Sequence, residues 1–212
     1  MDAFSTLARR VTDEIEERGS RFLAIAEPVA DRPAAEAFLA REARAHRNPT
    51  HVVPAFRLRD GTSFSSDAGE PAGSAGAPLL AALGGAGLQD VAAVVVRWYG
   101  GTNLGVGGLV RAYGGALAKA LAGAEVVRCE RAAEVRLHYT HDQTAAVMRC
   151  VATNGGRDAI HDYGESGADL RCLVPLGRVD ALARCLRDAT RGAVALERTG
   201  EAVLRSGARR PG

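Results

Sequence analysis

The 212-residue sequence predicts an α+β protein of two domains. Three observations predict it. The length suits two domains of ~100 residues each better than one small domain. In the first half, strand-like and helix-like segments interleave around Val91–Val96, an apolar run of the kind found in strands covered on both faces. In the second half the segments follow the order β-α-β-β-α-β. The boundaries predicted are residues 1–128, 129–205 and a flexible tail, 206–212. A 47% apolar composition supports a core in each domain.

The segment SRFLAIAEPV (Ser20–Val29) reads as a strand. Asp31 is a candidate N-cap, and Pro33 sits in the first turn of a helix running to about His46. His51–Leu58 is a second strand, where Pro54 argues for an edge or a bulge. A turn-rich stretch precedes a short helix near Pro78–Leu83. After the Val91–Arg97 strand and a glycine-rich loop, Leu109, Tyr113, Ala116, Leu117 and Ala120 recur at helical spacing. In the second half, Val135, Leu137 and Tyr139 share one face of a strand. Asp142 is a candidate cap for a helix carrying Val147, Cys150 and Val151, which stops at Asn154-Gly155-Gly156. Strands fit 157–163 and 168–175, an amphipathic helix carries Val179, Leu182 and Leu186 as far as Gly192, and a last strand falls within Ala193–Leu204. This order is that of a ferredoxin-like split βαβ domain.

Net charge is only +2, so any anion contact must be local. The longest apolar run is far short of the ~20 residues a membrane span needs. Acids stand in MDAFSTLARRVTDEIEERGS where an export signal would be apolar. The protein is therefore expected in the cytoplasm, off the membrane. Cys129, Cys150, Cys172 and Cys185 form no CxxC pair and are expected to be reduced structural thiols. His138 and His141 lack a third ligand nearby, so no metal site is expected. No cofactor is expected either.

Two segments flanking the buried strand carry the chemistry. The first is SDAGEPAGSAGAP (Ser66–Pro78), and the second is RWYGGTNLGVGGLVRAY (Arg97–Tyr113). Gly100, Gly101, Gly105, Gly107 and Gly108 stand between a strand and a helix, where successive N–H groups can converge on an anion. The helix N-terminus adds further N–H groups and positive dipole. Arg97 and Arg111 are planar donors suited to phosphate, Asn103 adds a polar side chain, and Trp98, Tyr99 and Tyr113 offer faces for base stacking. Glycine-rich loops also serve as plain turns, but five glycines exceed what a turn requires. The loop is neither a Walker A sequence nor GxGxxG. Asp67 and Glu70 are candidates to take a proton or hold a metal, or alternatively to cap and fix their loop.

These segments resemble the signature blocks of the YigZ/IMPACT family, and Ser20-Arg21-Phe22 and Thr50-His51 with Ala55-Phe56-Arg57 resemble its earlier blocks. The match covers most of residues 18–123. Gly19 replaces a usual lysine, Ala68 an acid and Val96 a threonine, while Val52-Val53 replaces Asn-Cys. The resemblance implies a ribosomal protein S5 domain 2-like fold for the first domain. For the second it implies the fold of the fifth domain of elongation factor G. It further implies a link to translational control.

The expected function is that of a nucleic-acid- or ribosome-associated binding protein linked to regulation of translation. The candidate anion-binding residues are His51, Asp67, Glu70, Arg97, Tyr99, Gly100, Gly101, Asn103, Gly105, Gly107, Gly108 and Arg111. RNA, DNA or the ribosome are the expected partners. No catalytic residue is assigned. The alternatives are an enzyme acting on a phosphorylated small molecule and a protein-interaction module with a protein partner.

Overall fold

A computed structural model describes residues 3–209, with side chains through Ser206. It is a mixed α/β structure that divides into two compact units, one chiefly Phe4–Arg128 and the other chiefly Cys129–Ser206. Among the described residues no helix is long and apolar enough to cross a membrane.

The first unit contains β1 (Ala3–Leu7), β2 (Val11–Glu17), β3 (Ser20–Pro28), α1 (Arg32–Ala45), β4 (His51–Arg57), β5 (Ser63–Ser65), α2 (Gly76–Gly85), β6 (Val91–Trp98) and α3 (Gly105–Ala122). Its sheet has the order β2-β3-β6-β4-β5, with every neighbouring pair antiparallel. β6 is central, and alternation along it feeds two cores. Val91, Ala93 and Val95 join Leu79, Leu83, Leu109, Tyr113 and Leu117 of α2 and α3. Ala92, Val94 and Val96 join Ala35 and Phe38 of α1. Each buried valine contributes ~1.5–3 kcal/mol relative to exposure, so this one strand anchors both helical layers.

Asp31 caps α1 as expected, accepting the Ala34 N–H at 2.9 Å. β4 is not an edge strand despite Pro54; it lies between β6 and β5. The proline is tolerated because β5 is only three residues long, and its ladder stops at Ala55. β1, β2 and β5 stand outside the sequence expectation. β2 hides its alternation behind acids, burying only Val11 and Ile15 in part against the core. It joins β3 through Arg18 and Gly19, both at positive φ (48° and 79°), the two-residue turn whose twist suits a hairpin.

The second unit contains β7 (Val126–Tyr139), α4 (Thr144–Thr153), β8 (Arg157–Tyr163), β9 (Ala168–Pro175), α5 (Val179–Thr190) and β10 (Leu196–Arg209). β8, β9 and β7 lie side by side, and β10 also pairs with β7. The core holds Val135, Leu137 and Tyr139 of β7, Leu170, Cys172 and Val174 of β9, and Val147, Val151, Leu182 and Leu186 of the two helices. Thr140, not Asp142, makes the helical entry. It forms a capping box with Gln143 over a short 3₁₀ turn, His141–Gln143, ahead of α4. β10 runs past the expected end at Leu204 to Arg209, matching the 14 residues of its partner β7. The rest of the expected tail, 210–212, lies outside the described residues.

The cysteines correct the expectation. Cys150 of α4 and Cys185 of α5 form a disulfide, with Cα atoms 5.7 Å apart, while Cys129 and Cys172 are buried outside it. The 35-residue separation hid a pair that helix packing sets side by side. Burial pushes the Cys172 thiol up to about 11, which leaves it inert near neutral pH. Reducing the Cys150–Cys185 bond should destabilise its unit by about 2–4 kcal/mol. The readout is a lower urea midpoint in far-ultraviolet circular dichroism. A curve that stays in place on adding dithiothreitol, with the bond shown broken by mass spectrometry, would contradict it.

Candidate functional site

The two signature segments meet at the end of the sheet where β6 finishes and β3 and β4 begin. Arg97 follows Val91, Ala93 and Val95 in parity, so it points inward toward α2 and α3. It therefore does not stand on the surface as the anion donor its sequence position suggested. Its side chain is 7% exposed, and its Nη1 donates to Glu70 Oε1 at 2.6 Å. Glu70 is 4% exposed, and the same oxygen accepts the Tyr113 hydroxyl at 2.6 Å. His51 approaches that oxygen with Nε2 at 3.8 Å. Its Nδ1 lies 2.8 Å from the Ala68 carbonyl, and because a carbonyl only accepts, Nδ1 is the protonated nitrogen. Burial, with the Glu70 carboxylate adding to it, raises the pKa of Tyr113 far above the usual phenol range. Arg97 Nε is buried without a hydrogen-bond partner.

Asp67 is the fixing group of its loop. It accepts the N–H groups of Gly73 (2.8 Å), Ala75 (3.0 Å) and Gly76 (2.8 Å), tying the loop to the first turn of α2. These bonds, Gly73's foremost, hold its pKa below the usual carboxylate range. Both Asp67 oxygens are engaged. Ala68 sits at φ +49°, a conformation that an acid or amide tolerates better than alanine. Among the described residues no three His, Cys, Asp or Glu side chains gather as a metal-ligand set.

The glycines of the second segment divide by role. A Cβ on Gly100 would lie 1.9 Å from the Gly19 carbonyl oxygen, so the loop and the β2–β3 turn approach backbone to backbone. The Gly100 N–H donates to Ser20 Oγ at 3.1 Å, and the Tyr99 N–H to Thr50 Oγ1 at 2.9 Å. Gly108 packs against Leu104, where a Cβ would meet the Leu104 Cβ at 2.9 Å. Gly101 and Gly105, both at positive φ, face open space, and near Gly107 only the Arg111 guanidinium comes within contact.

Beyond the Gly19 contact the chain is exposed through Thr102 and Asn103 into α3. α3 begins without a side-chain cap and without an acid in its first turn. Arg111 is exposed and makes no ion pair among the described residues. The aromatic side chains also separate. Tyr113 is buried, and Trp98 donates to the Arg47 carbonyl beneath the Arg21 guanidinium, 3.9 Å from the ring centre. Tyr99 is 45% exposed, with its hydroxyl donating to Asn103 Oδ1 at 3.2 Å. The structure thus gathers His51, Asp67, Glu70 and Arg97 into a fixed base, while Tyr99, Asn103, the open glycines and Arg111 form the accessible part. Gly19, Arg21 and Thr50 stood in the family's earlier blocks but were not assigned to the anion-binding set. The Arg-Gly dipeptide before Ser20 carried a further signal, that of a hairpin turn.

Glu70→Gln should cost about 3–5 kcal/mol by stranding the Arg97 charge. Tyr113→Phe should cost only about 1 kcal/mol. Equal losses in urea denaturation would show that the ion pair is not the main tie. Because its folded pKa lies below its unfolded one, Asp67 stabilises fully above the unfolded value, near pH 4. That contribution is lost as pH falls through the lower folded value. Asp67→Asn should lower stability at neutral pH and shrink the loss on acidification, and an unchanged acid slope would remove Asp67 from that role.

Comparison with known proteins places the chain. The Impact N-terminal domain model matches residues 18–121. The chain is 34% identical over 201 residues to the IMPACT family member YigZ of Escherichia coli (strain K12), covering 92% of this chain and 98% of that one. It is 34% identical over 146 residues to the IMPACT family member YvyE of Bacillus subtilis (strain 168), covering 68% and 66%. A solved crystal structure, described as that of a hypothetical protein, shares 32% identity at a TM-score of 0.67, covering 94% of this chain and 98% of the other. Residues 18–121 of that match hold Glu70, Arg97 and the open glycines alike, and the chain belongs to the YigZ/IMPACT family.

Proposed function

We propose that the chain is a nucleic-acid- or ribosome-associated binding protein linked to regulation of translation, and that it holds phosphate on the Gly101–Gly107 surface. One observation carries this reading: an uncapped first turn of α3, bare glycines beside it and an unpaired Arg111. No acid occurs anywhere between Asp90 and Glu125, so nothing in this stretch opposes an anion. Backbone N–H groups and one guanidinium suit a phosphate oxygen without reading a base. Arg97 and Glu70 act from below, as positioning residues. RNA, DNA or the ribosome are the partners proposed, in the cytoplasm. The alternative enzyme on a phosphorylated small molecule is less well supported, because hydrogen bonds already engage Asp67 and the Glu70 oxygen that a base would use. The fold names fit this reading. Strand neighbours β10, β7, β9 and β8 are in the order of a ferredoxin-like domain, and the first unit's sheet with helices on both faces is compatible with the ribosomal protein S5 domain 2-like fold.

RNA affinity should fall with salt, and Arg111→Ala should weaken binding and reduce the slope of log K against log salt by about one. Identical affinities and slopes for Arg111→Ala and wild type would sink the reading.

A further inference from the structure

We infer that this surface takes single-stranded rather than duplex nucleic acid, with one base lying on the outer face of Tyr99 while a neighbouring phosphate meets the start of α3 and Arg111. The inference rests on the phosphate reading above and adds the class of strand. Tyr99 is a large aromatic side chain left 45% exposed, and Val106 at 55% and Val110 at 38% are also exposed in the first two turns of α3. It is also held in place. Its N–H donates to Thr50 Oγ1, its hydroxyl donates to Asn103 Oδ1, and the Arg97 guanidinium lies 5.5 Å from its ring centre. Arg97 in turn is fixed by Glu70.

A ring held through its hydroxyl and by a guanidinium, on a main chain pinned to Thr50, has little rotamer freedom left to lose when a flat group settles on it, which favours stacking. Arg97 occupies one side of the ring, so a ligand has the other. The remaining aromatics near the loop are already taken: Trp98 lies under Arg21 and Tyr113 is buried. Chemistry then selects the partner. An apolar flat face beside unpaired N–H groups and a free guanidinium matches a ligand that alternates planar bases with phosphates. A duplex keeps its base faces stacked internally and presents only edges and backbone, whereas a single strand presents faces. A protein partner would have to bring an acid to the guanidinium and an apolar group to the ring from separate residues, whereas a nucleotide strand carries both in every unit.

The test uses the full chain and labelled strands of about ten nucleotides, within the usual footprint of such sites. The same sequence is offered as single-stranded RNA, single-stranded DNA and duplex, and a 2-aminopurine base reports stacking by quenching. Single strands should bind at least about tenfold more tightly than duplex, and Tyr99→Leu should weaken them about tenfold while Tyr99→Phe stays within about twofold. The 2-aminopurine signal should be quenched by wild type and not by Tyr99→Leu. Should duplex bind as tightly as single strands, and Tyr99→Leu change nothing while Arg111→Ala weakens both, the stacking inference falls and the phosphate reading stands. Should no strand or duplex bind, both fall, and a protein partner takes their place. The wild-type comparison of strand with duplex decides the matter even where Tyr99→Leu disturbs the fold.

Discussion

A buried carboxylate governs the first unit. Glu70 is held away from water and receives a guanidinium from β6 and a hydroxyl from α3, each at 2.6 Å. Removing charges from water costs several kcal/mol apiece, and the pair repays this only when its geometry is close and its hydrogen bonds are made. That requirement ties the loop after β5 to the end of the central strand and to the long helix. The two signature segments, 27 residues apart at Glu70 and Arg97, thus behave as one body. Asp67 completes it by gathering three N–H groups of the same loop.

Above this base lies a surface of different character. The base is polar and tightly hydrogen-bonded, with Arg97 Nε its one buried side-chain atom lacking a partner among the described residues. The surface is exposed, and its own stretch of chain carries no acid. Glycine serves both halves for separate reasons. Gly100 lets two backbones touch, while Gly101 and Gly105 leave the chain bare. A single glycine-rich motif therefore mixes packing with exposure.

Much of the fold was legible in the residues. The unbroken run in β6 announced a strand covered twice, Asp31 with Pro33 marked the start of α1, and the succession of elements after Cys129 was read in order. β1, β2 and β5 were not, because acids or brevity concealed their alternation. Within the candidate site, the direction of Arg97 was misread. Arg97 looked like a surface donor because the apolar run masks parity, and only pairing with β3 and β4 fixes which side of β6 each residue takes. The role of Asp67 in fixing its loop was among the readings the residues allowed, whereas its choice of three particular N–H groups needed the fold. The disulfide depended on α4 and α5 lying side by side, a contact with no trace in spacing.

Alternation along β6 also dictates where relatives can change length. One residue added or deleted between Val91 and Trp98 would swap the occupants of the two layers, setting an indole against the Glu70 carboxylate and a guanidinium into the apolar layer beneath α1. Insertions are therefore shut out of the strand and of the Gly100 crossing. The chain at Gly101, where a Cβ would meet nothing, and at exposed Thr102 is the place where the motif can lengthen without undoing its foundation.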